Sequence, residues 1–227
     1  MSSPKQVRPK ARAEALLASK GFNSKLGGLI KNSRKFWLEH CFYSVHDGRR
    51  VVLEPLLRGA SSKSIMHSDG SPVNVRDDYR PSSRKTSFLN AYVSDASPCA
   101  VFAHSHPHEE ADSEEPVAPS GSDLGNLYGW DLAGVESGKT ASNIQLIVKV
   151  QRNTSASLEY LFLRFIRMHK RNVNFGFFDD EKIPSHSDVE RKLGLLGIAS
   201  AHLIKSPTDH KITRAEARQI ATRLFPK

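Results

Sequence analysis

Two histidines, one aspartate and one serine carry the most chemistry in this chain. The stretch 101–123 reads VFAHSHPHEEADSEEPVAPSGSD. The run from Cys99 to His106 is apolar and short, the pattern of a buried strand. Side chains two apart on a strand point to the same face. His104 and His106 can therefore offer two imidazoles to one ion. Pro107 has no N–H to give to a ladder, which predicts that the strand stops there. Beyond an acidic segment come Ser120, Gly121, Ser122 and Asp123. Asp123 opens a predicted helix and could supply a third ligand. Two His, one Asp and a water make an open, tetrahedral zinc site of the catalytic type. The same SxxD is a helix start in its own right. Ser120 as N-cap with Asp123 at N3 is a variant of the capping box, with Asp in place of Glu or Gln. The two roles are compatible, because a cap fixes where the carboxylate points.

HxHP followed by SxxD resembles the metal motif of the JAMM/MPN zinc metallopeptidases, the family of the zinc deubiquitinases and related bacterial proteins. The resemblance covers roughly residues 36–165 and outside the motif is one of pattern, not identity. It implies a mixed β-sheet of the MPN/cytidine-deaminase-like type, with Zn2+ held by His104, His106 and Asp123. It also implies a glutamate ahead of the first hairpin, acting as general base and acid. Glu39 fits that place, ahead of FYSV, an Asp-Gly turn and RRVVLEPL, and Glu54 is its competitor. Phe42 stands where the pattern has a small residue. In the chemistry so implied, zinc lowers the pKa of its water and polarises the scissile carbonyl. Glu39 takes the water's proton and passes it to a leaving amine, and Ser120 donates to the oxyanion. The bond is an amide, either a peptide bond or an isopeptide to a lysine of a ubiquitin-like conjugate. The expected partner is thus a protein or peptide substrate. A catalytically silent MPN-like scaffold is the alternative within the same fold.

The elements that must position these residues are legible in part. Residues 1–10, polar and basic with Pro4 and Pro9, read as disordered. Residues 10–20 read as a short helix ended by Gly21. Asn23 or Ser24 could cap a further turn through Leu26–Ile30, weakened by Gly27-Gly28. Asp47-Gly48 separates two strand-like runs, FWLEHCFYSV and RRVVLEPLL, a hairpin signal. Residues 60–85 read as loop with a brief strand at Val73–Val75, and the periodicity of 85–95 does not choose between helix and strand. SDLGNLYGWDLAGV (122–135) reads as an amphipathic helix, and 141–150 and 157–166 as paired strands. A helix starts near Ser187, and 211–225 is a helix with Thr213 and Glu216 as a capping box. Strands, a metal-bearing helix and more strands make an α/β fold, a sheet flanked by helices. The predicted division is a basic helical arm (1–34), a metallohydrolase domain (35–167) and a helical C-terminal extension (168–227). His186, His202 and His210 share no ligand spacing and read as surface residues.

Composition narrows the partners. The chain has 227 residues, enough for a sizeable core. No run of 18 apolar residues predicts a membrane span, and the N-terminus lacks the apolar run of a signal peptide, so a cytoplasmic location without membrane insertion is expected. Cys41 and Cys99 are the only cysteines, which fits a reducing compartment and excludes a disulfide framework or a Cys-based zinc finger. Net charge is +9, and residues 1–35 hold nine Lys/Arg against Glu14 alone, so +8 lies there. Such an arm either keeps the chain in solution or engages nucleic acid or an acidic partner, as an effector-like protein would. Between the two halves of the metal motif, Glu109, Glu110, Asp112, Glu114 and Glu115 form an acidic insertion (108–119). It reads as a solvated loop, or as a lid or docking strip for a basic substrate segment.

Overall fold

The computed structural model describes residues 8–58, 87–95, 97–108, 115–136, 138, 140–151, 153–166, 175 and 185–226. The expected strand at Val73–Val75 and the acidic positions 109–114 lie outside them.

The chain begins with two helices, α1 (Pro9–Leu17) and α2 (Lys20–Phe36). The break between them falls at Ala18 and Ser19, not at Gly21. Ser19 caps α2 by accepting from the Phe22 N–H, so Gly21 sits in the first turn of the second helix. Gly27 and Gly28 do not interrupt it. Phe22, Leu26, Leu29 and Ile30 share one buried face, and that packing outweighs the low helix propensity of glycine. Pro9 and Lys10, read as disordered, form the start of α1. Phe36, read as the start of a strand, ends α2.

The first strand, β1 (His40–His46), turns at Asp47-Gly48 into β2 (Val51–Leu53). The Asp47 carboxylate accepts from the N–H groups of Arg49 and Arg50, and Gly48 has φ 86°. Then come β3 (Leu57–Arg58), α3 (Ser87–Ser94), β4 (Cys99–His108) and α4 (Gly121–Glu136). The chain finishes with β5 (Ser142–Gln151), β6 (Leu158–Phe165), α5 (His186–Leu195), β7 (Ile198–Lys205) and α6 (Arg214–Leu224). The ambiguous stretch 85–95 is thus helical, and α4 runs unbroken through Gly125 and Gly129. α6 carries the reciprocal Thr213–Glu216 capping box expected of it.

These strands form one mixed sheet in the order β2-β1-β4-β5-β6-β7, with β3 also on β1. Only β4 and β5 are parallel, joined by α4 as a crossover. Every residue of β5 is buried, as befits a strand covered on both faces. On β4, Cys99, Val101 and Ala103 enter the core beneath α1, α2 and α6, while Ala100 faces the opposite layer with Tyr43 and Val45.

Two expectations are corrected here. β4 does not stop at Pro107 but pairs with β5 through His108. β1 ends its pairing with β4 at Cys41↔His104, so Pro107 lies where β4 has a neighbour on one side only, the position where a missing N–H is tolerated. The C-terminal segment is not purely helical, since β7 extends the sheet beside β6. The three predicted segments also share one core cluster: Ala13, Leu16 and Leu26 join Val101, Leu146 and Phe162, and Ala217, Ile220 and Leu224. Among the described residues no helix is long and apolar enough to cross a membrane.

Candidate metal centre

His104 and His106 project from the same face of β4, and α4 brings Asp123 down upon them. His104 Nε2 is 3.0 Å from His106 Nε2 and 3.0 Å from Asp123 Oδ1, and His106 Nε2 is 3.4 Å from Asp123 Oδ2. Donors about 2.0–2.1 Å from a tetrahedral zinc ion lie about 3.3 Å from one another. The His–His and His104–Oδ1 distances lie near that spacing, and one ligand atom from each of the three residues falls within 4.8 Å of the others. Among the described residues they are the one group of this kind.

The capping geometry sets the carboxylate. Ser120 N–H and Ser120 Oγ both donate to Asp123 Oδ2 at 2.8 Å, and Asp123 N–H donates back to Ser120 Oγ at 3.2 Å. Oδ2 thereby accepts twice from Ser120, and each carboxylate oxygen faces one imidazole, Oδ1 that of His104 and Oδ2 that of His106. The Ser120 hydroxyl proton is committed to Asp123 here, so its visible role is to orient a ligand.

The charges fit one another. Burial pushes the Asp123 carboxyl up, but the two imidazoles outweigh it and hold its pKa well below the ordinary value. Burial pulls His106 down, while Asp123, with a smaller contribution from Glu39, raises it above the usual histidine range. His104 is 3% exposed and its Nδ1 has no hydrogen-bond partner among the described residues. Its ring is stacked on Phe102, with centroids 5.0 Å apart, and Phe102 stacks in turn on Tyr43. Two imidazoles and a carboxylate oxygen are a donor set suited to zinc.

Glu39 lies just before β1 and is half-buried. Extending the register Cys41↔His104 by two residues brings Glu39 level with His106, on the same face. It also helps to raise the Cys41 pKa, whose larger cause is burial. Glu54 is buried beside Tyr43, whose carbonyl accepts its N–H at 2.9 Å. That place is farther along β1, level with Phe102 and away from the ligand pair.

Several residues at the site carried no motif. Lys149 neighbours His106 across the parallel register and is 0% exposed. Its ammonium meets the Glu115 carbonyl and stands 3.5 Å from the Glu159 carboxylate. Glu159 also accepts from the Val117 N–H at 3.1 Å. The end of the acidic insertion, at 115–117, is thus pinned to the sheet and not simply solvated. The sequence carried no signal for this, since Lys149 falls with Gln145 on the polar side of the alternation in IQLIVKVQ.

Of the histidines read as surface residues, the His202 side chain is only 10% exposed, while that of His186 keeps 40%. His186 and His202 rings meet edge-on at 4.8 Å, with His186 Nε2 3.1 Å from Glu159 and His202 Nδ1 3.5 Å from Glu190. The His210 ring packs over Gly27, where an added Cβ would come within 2.6 Å of its Nε2. Comparison with family models, with curated proteins and with solved structures returns no match to this chain.

Proposed function

We propose that this protein is a zinc-dependent amidohydrolase of the JAMM type, cleaving a peptide or isopeptide bond of a protein substrate. The convergence of His104, His106 and Asp123 at ligand spacing carries this reading. The MPN-like identity of the sheet belongs to the proposal as well, supported by a histidine pair on β4 and a candidate ligand at the start of the crossover helix α4. A bound zinc ion would supply Lewis acidity, making a coordinated water acidic and polarising the scissile carbonyl.

The chain's own residues do the rest. His104 Nε2, His106 Nε2 and a carboxylate oxygen of Asp123 would hold the ion, and the Ser120 cap fixes the direction of that carboxylate. Glu39, level with His106, accepts a proton at its carboxylate and returns it to the leaving amine. Ser120 becomes an oxyanion donor only by releasing its bond to Asp123, a loss the metal's own pull on that carboxylate would ease. A substrate with a basic segment suits the acidic stretch between the two halves of the motif.

The test separates the two carboxylates. Zinc-loaded Glu39→Gln is expected to keep its metal and lose turnover of amide substrates by at least a hundredfold, in line with general base catalysis. Glu54→Gln is expected to stay within a few-fold of wild type. The reverse outcome would assign the base to Glu54.

A further inference from the structure

We infer that Ser105 is a positioning residue, whose buried hydroxyl holds Glu39 level with His106. The inference rests on the metal-hydrolase reading above and adds a part to it.

The main-chain pairing of β1 with β4 ends at Cys41↔His104. Glu39 therefore lies beyond the last rung that ties the two strands together. Just before it, Trp37 has φ 53°, the one positive value outside glycine among the described residues. A left-handed tryptophan is a strained corner that needs support from its surroundings. On the β3 side of Glu39 the next residue, His40, pairs with Arg58; on the β4 side the contact comes from a side chain. Ser105 stands between the two ligand histidines and points to the opposite face of β4. Its Oγ accepts from the His40 N–H at 2.9 Å and approaches the His40 carbonyl at 3.3 Å. The hydroxyl thus takes the place of the missing rung, on the residue that follows Glu39.

The cluster extends to the helix before the corner. Ser33 Oγ lies 2.6 Å from Ser105 Oγ and 3.4 Å from His40 Nδ1, and His40 Nδ1 also reaches the Leu38 carbonyl at 2.9 Å. Ser33 further accepts, at its carbonyl, the Trp37 N–H that closes α2. Ser33, His40 and Ser105 are each at most 3% exposed. Buried hydroxyls in such a network are costly to leave unpaired, so the network is well determined. The end of α2, the corner and the first residue of β1 are all referred to the one residue that separates the metal ligands. A base must stand within about 2.6–3.2 Å of the proton it takes. Ser105 sets that distance without touching the metal or the substrate.

The experiment uses Co2+ in place of zinc, because its visible spectrum reports what surrounds the open coordination position. Wild type, Ser105→Ala, Ser105→Thr, Glu39→Gln and the Glu39→Gln/Ser105→Ala double variant are loaded with Co2+, and affinity and d–d spectrum are recorded. Ser105→Ala is expected to bind Co2+ within about threefold of wild type, since the ligands are untouched, while its spectrum moves toward that of Glu39→Gln. Ser105→Thr, which keeps the hydroxyl, is expected to match wild type. Adding Ser105→Ala to Glu39→Gln is expected to change nothing further, as residues acting through one another are not additive. A wild-type spectrum in Ser105→Ala beside a shifted one in Glu39→Gln overturns the inference, as does full additivity in the double variant. Should Ser105→Ala fail to fold, Ser105→Cys replaces the hydroxyl by a weak hydrogen-bonding thiol of similar size, with the same expected shift and the same overturning result. If wild type takes up no Co2+, or Glu39→Gln leaves the spectrum unmoved, the metal-hydrolase reading falls first and this inference with it.

Discussion

The His104 ring lies against Phe102, and its Nδ1 finds no hydrogen-bond partner among the described residues. A metal-bound histidine ordinarily donates that second N–H to a carboxylate or carbonyl, which fixes its tautomer and direction. Here the ring's described contact is a stack, through Phe102 and Tyr43 to Trp130, whose ring centroid is 5.1 Å from that of Tyr43. Phe102→Leu keeps most of the apolar volume and removes the stack. Zinc affinity, read by competition with a chelator, is expected to fall about tenfold, the lower range for loss of a group that orients a ligand. Unchanged affinity would show that the strand alone aims the ring. At this scale the grouping of the candidate ligands was legible because a period of two and a capping spacing are local patterns. Phe102, Ser105 and Lys149 were not, because what they do depends on neighbours from β1, α2 and β6 that no local pattern names.

Among the elements, α4, β5, β6 and α6 follow their sequence signals closely. Each has either a clean apolar period or a capping pair, and local preference agrees with the packing. α2 and β7 do not read so easily. α2 contains Gly27-Gly28, and only the buried face formed by Phe22, Leu26, Leu29 and Ile30 accounts for its length. β7 has an irregular pattern, with Ile204 58% exposed and His202 turned toward α5, so its membership in the sheet comes from pairing with β6. The segment ahead of α4 depends on a contact of this non-local sort. Lys149 and Glu159 tie residues 115–117 to β5 and β6, and those residues lead to Ser120 and Asp123. Lys149→Met would leave Glu159 without its buried cation and release the Glu115 carbonyl. Breaking a buried pair on one side costs about 3–5 kcal/mol; the low end is expected, because His186 and the Val117 N–H still serve Glu159. At this chain length that corresponds to a fall in Tm of about 6–12 °C, with weaker zinc binding. A Tm within a degree of wild type would mean that the pair does not hold the segment.

In the whole molecule, the basic N-terminal stretch is built into the fold from Pro9 onward. Arg12 is 5% exposed and binds both the Asp95 carboxylate and the Ser97 carbonyl, and Glu14 meets Arg218 of α6 at 3.3 Å. Charge counting could locate the cations but not the apolar faces of α1 and α2 beneath them. At the end of the sheet where β4 and β5 begin, Asp131 accepts from Asn143 at 2.7 Å, and burial pushes its carboxyl up to about 7. Between its ordinary value of 3.8 and about 7 the folded protein keeps a proton that the unfolded chain gives up. Stability from this group is therefore complete at the acid end and declines as pH rises through that window. Asp131→Asn keeps an acceptor for Asn143 and removes the titration. Its Tm is expected to exceed that of wild type by a few degrees above pH 7, with the gap closing toward pH 4; parallel Tm curves would contradict this. The central claim concerns the metal, and elemental analysis of the purified protein tests it most directly. About one zinc per chain is predicted for wild type, lost in Asp123→Ala and in His104→Ala. Wild-type protein free of bound zinc after zinc supplementation and buffer exchange, or zinc retained at full stoichiometry in both variants, would contradict it.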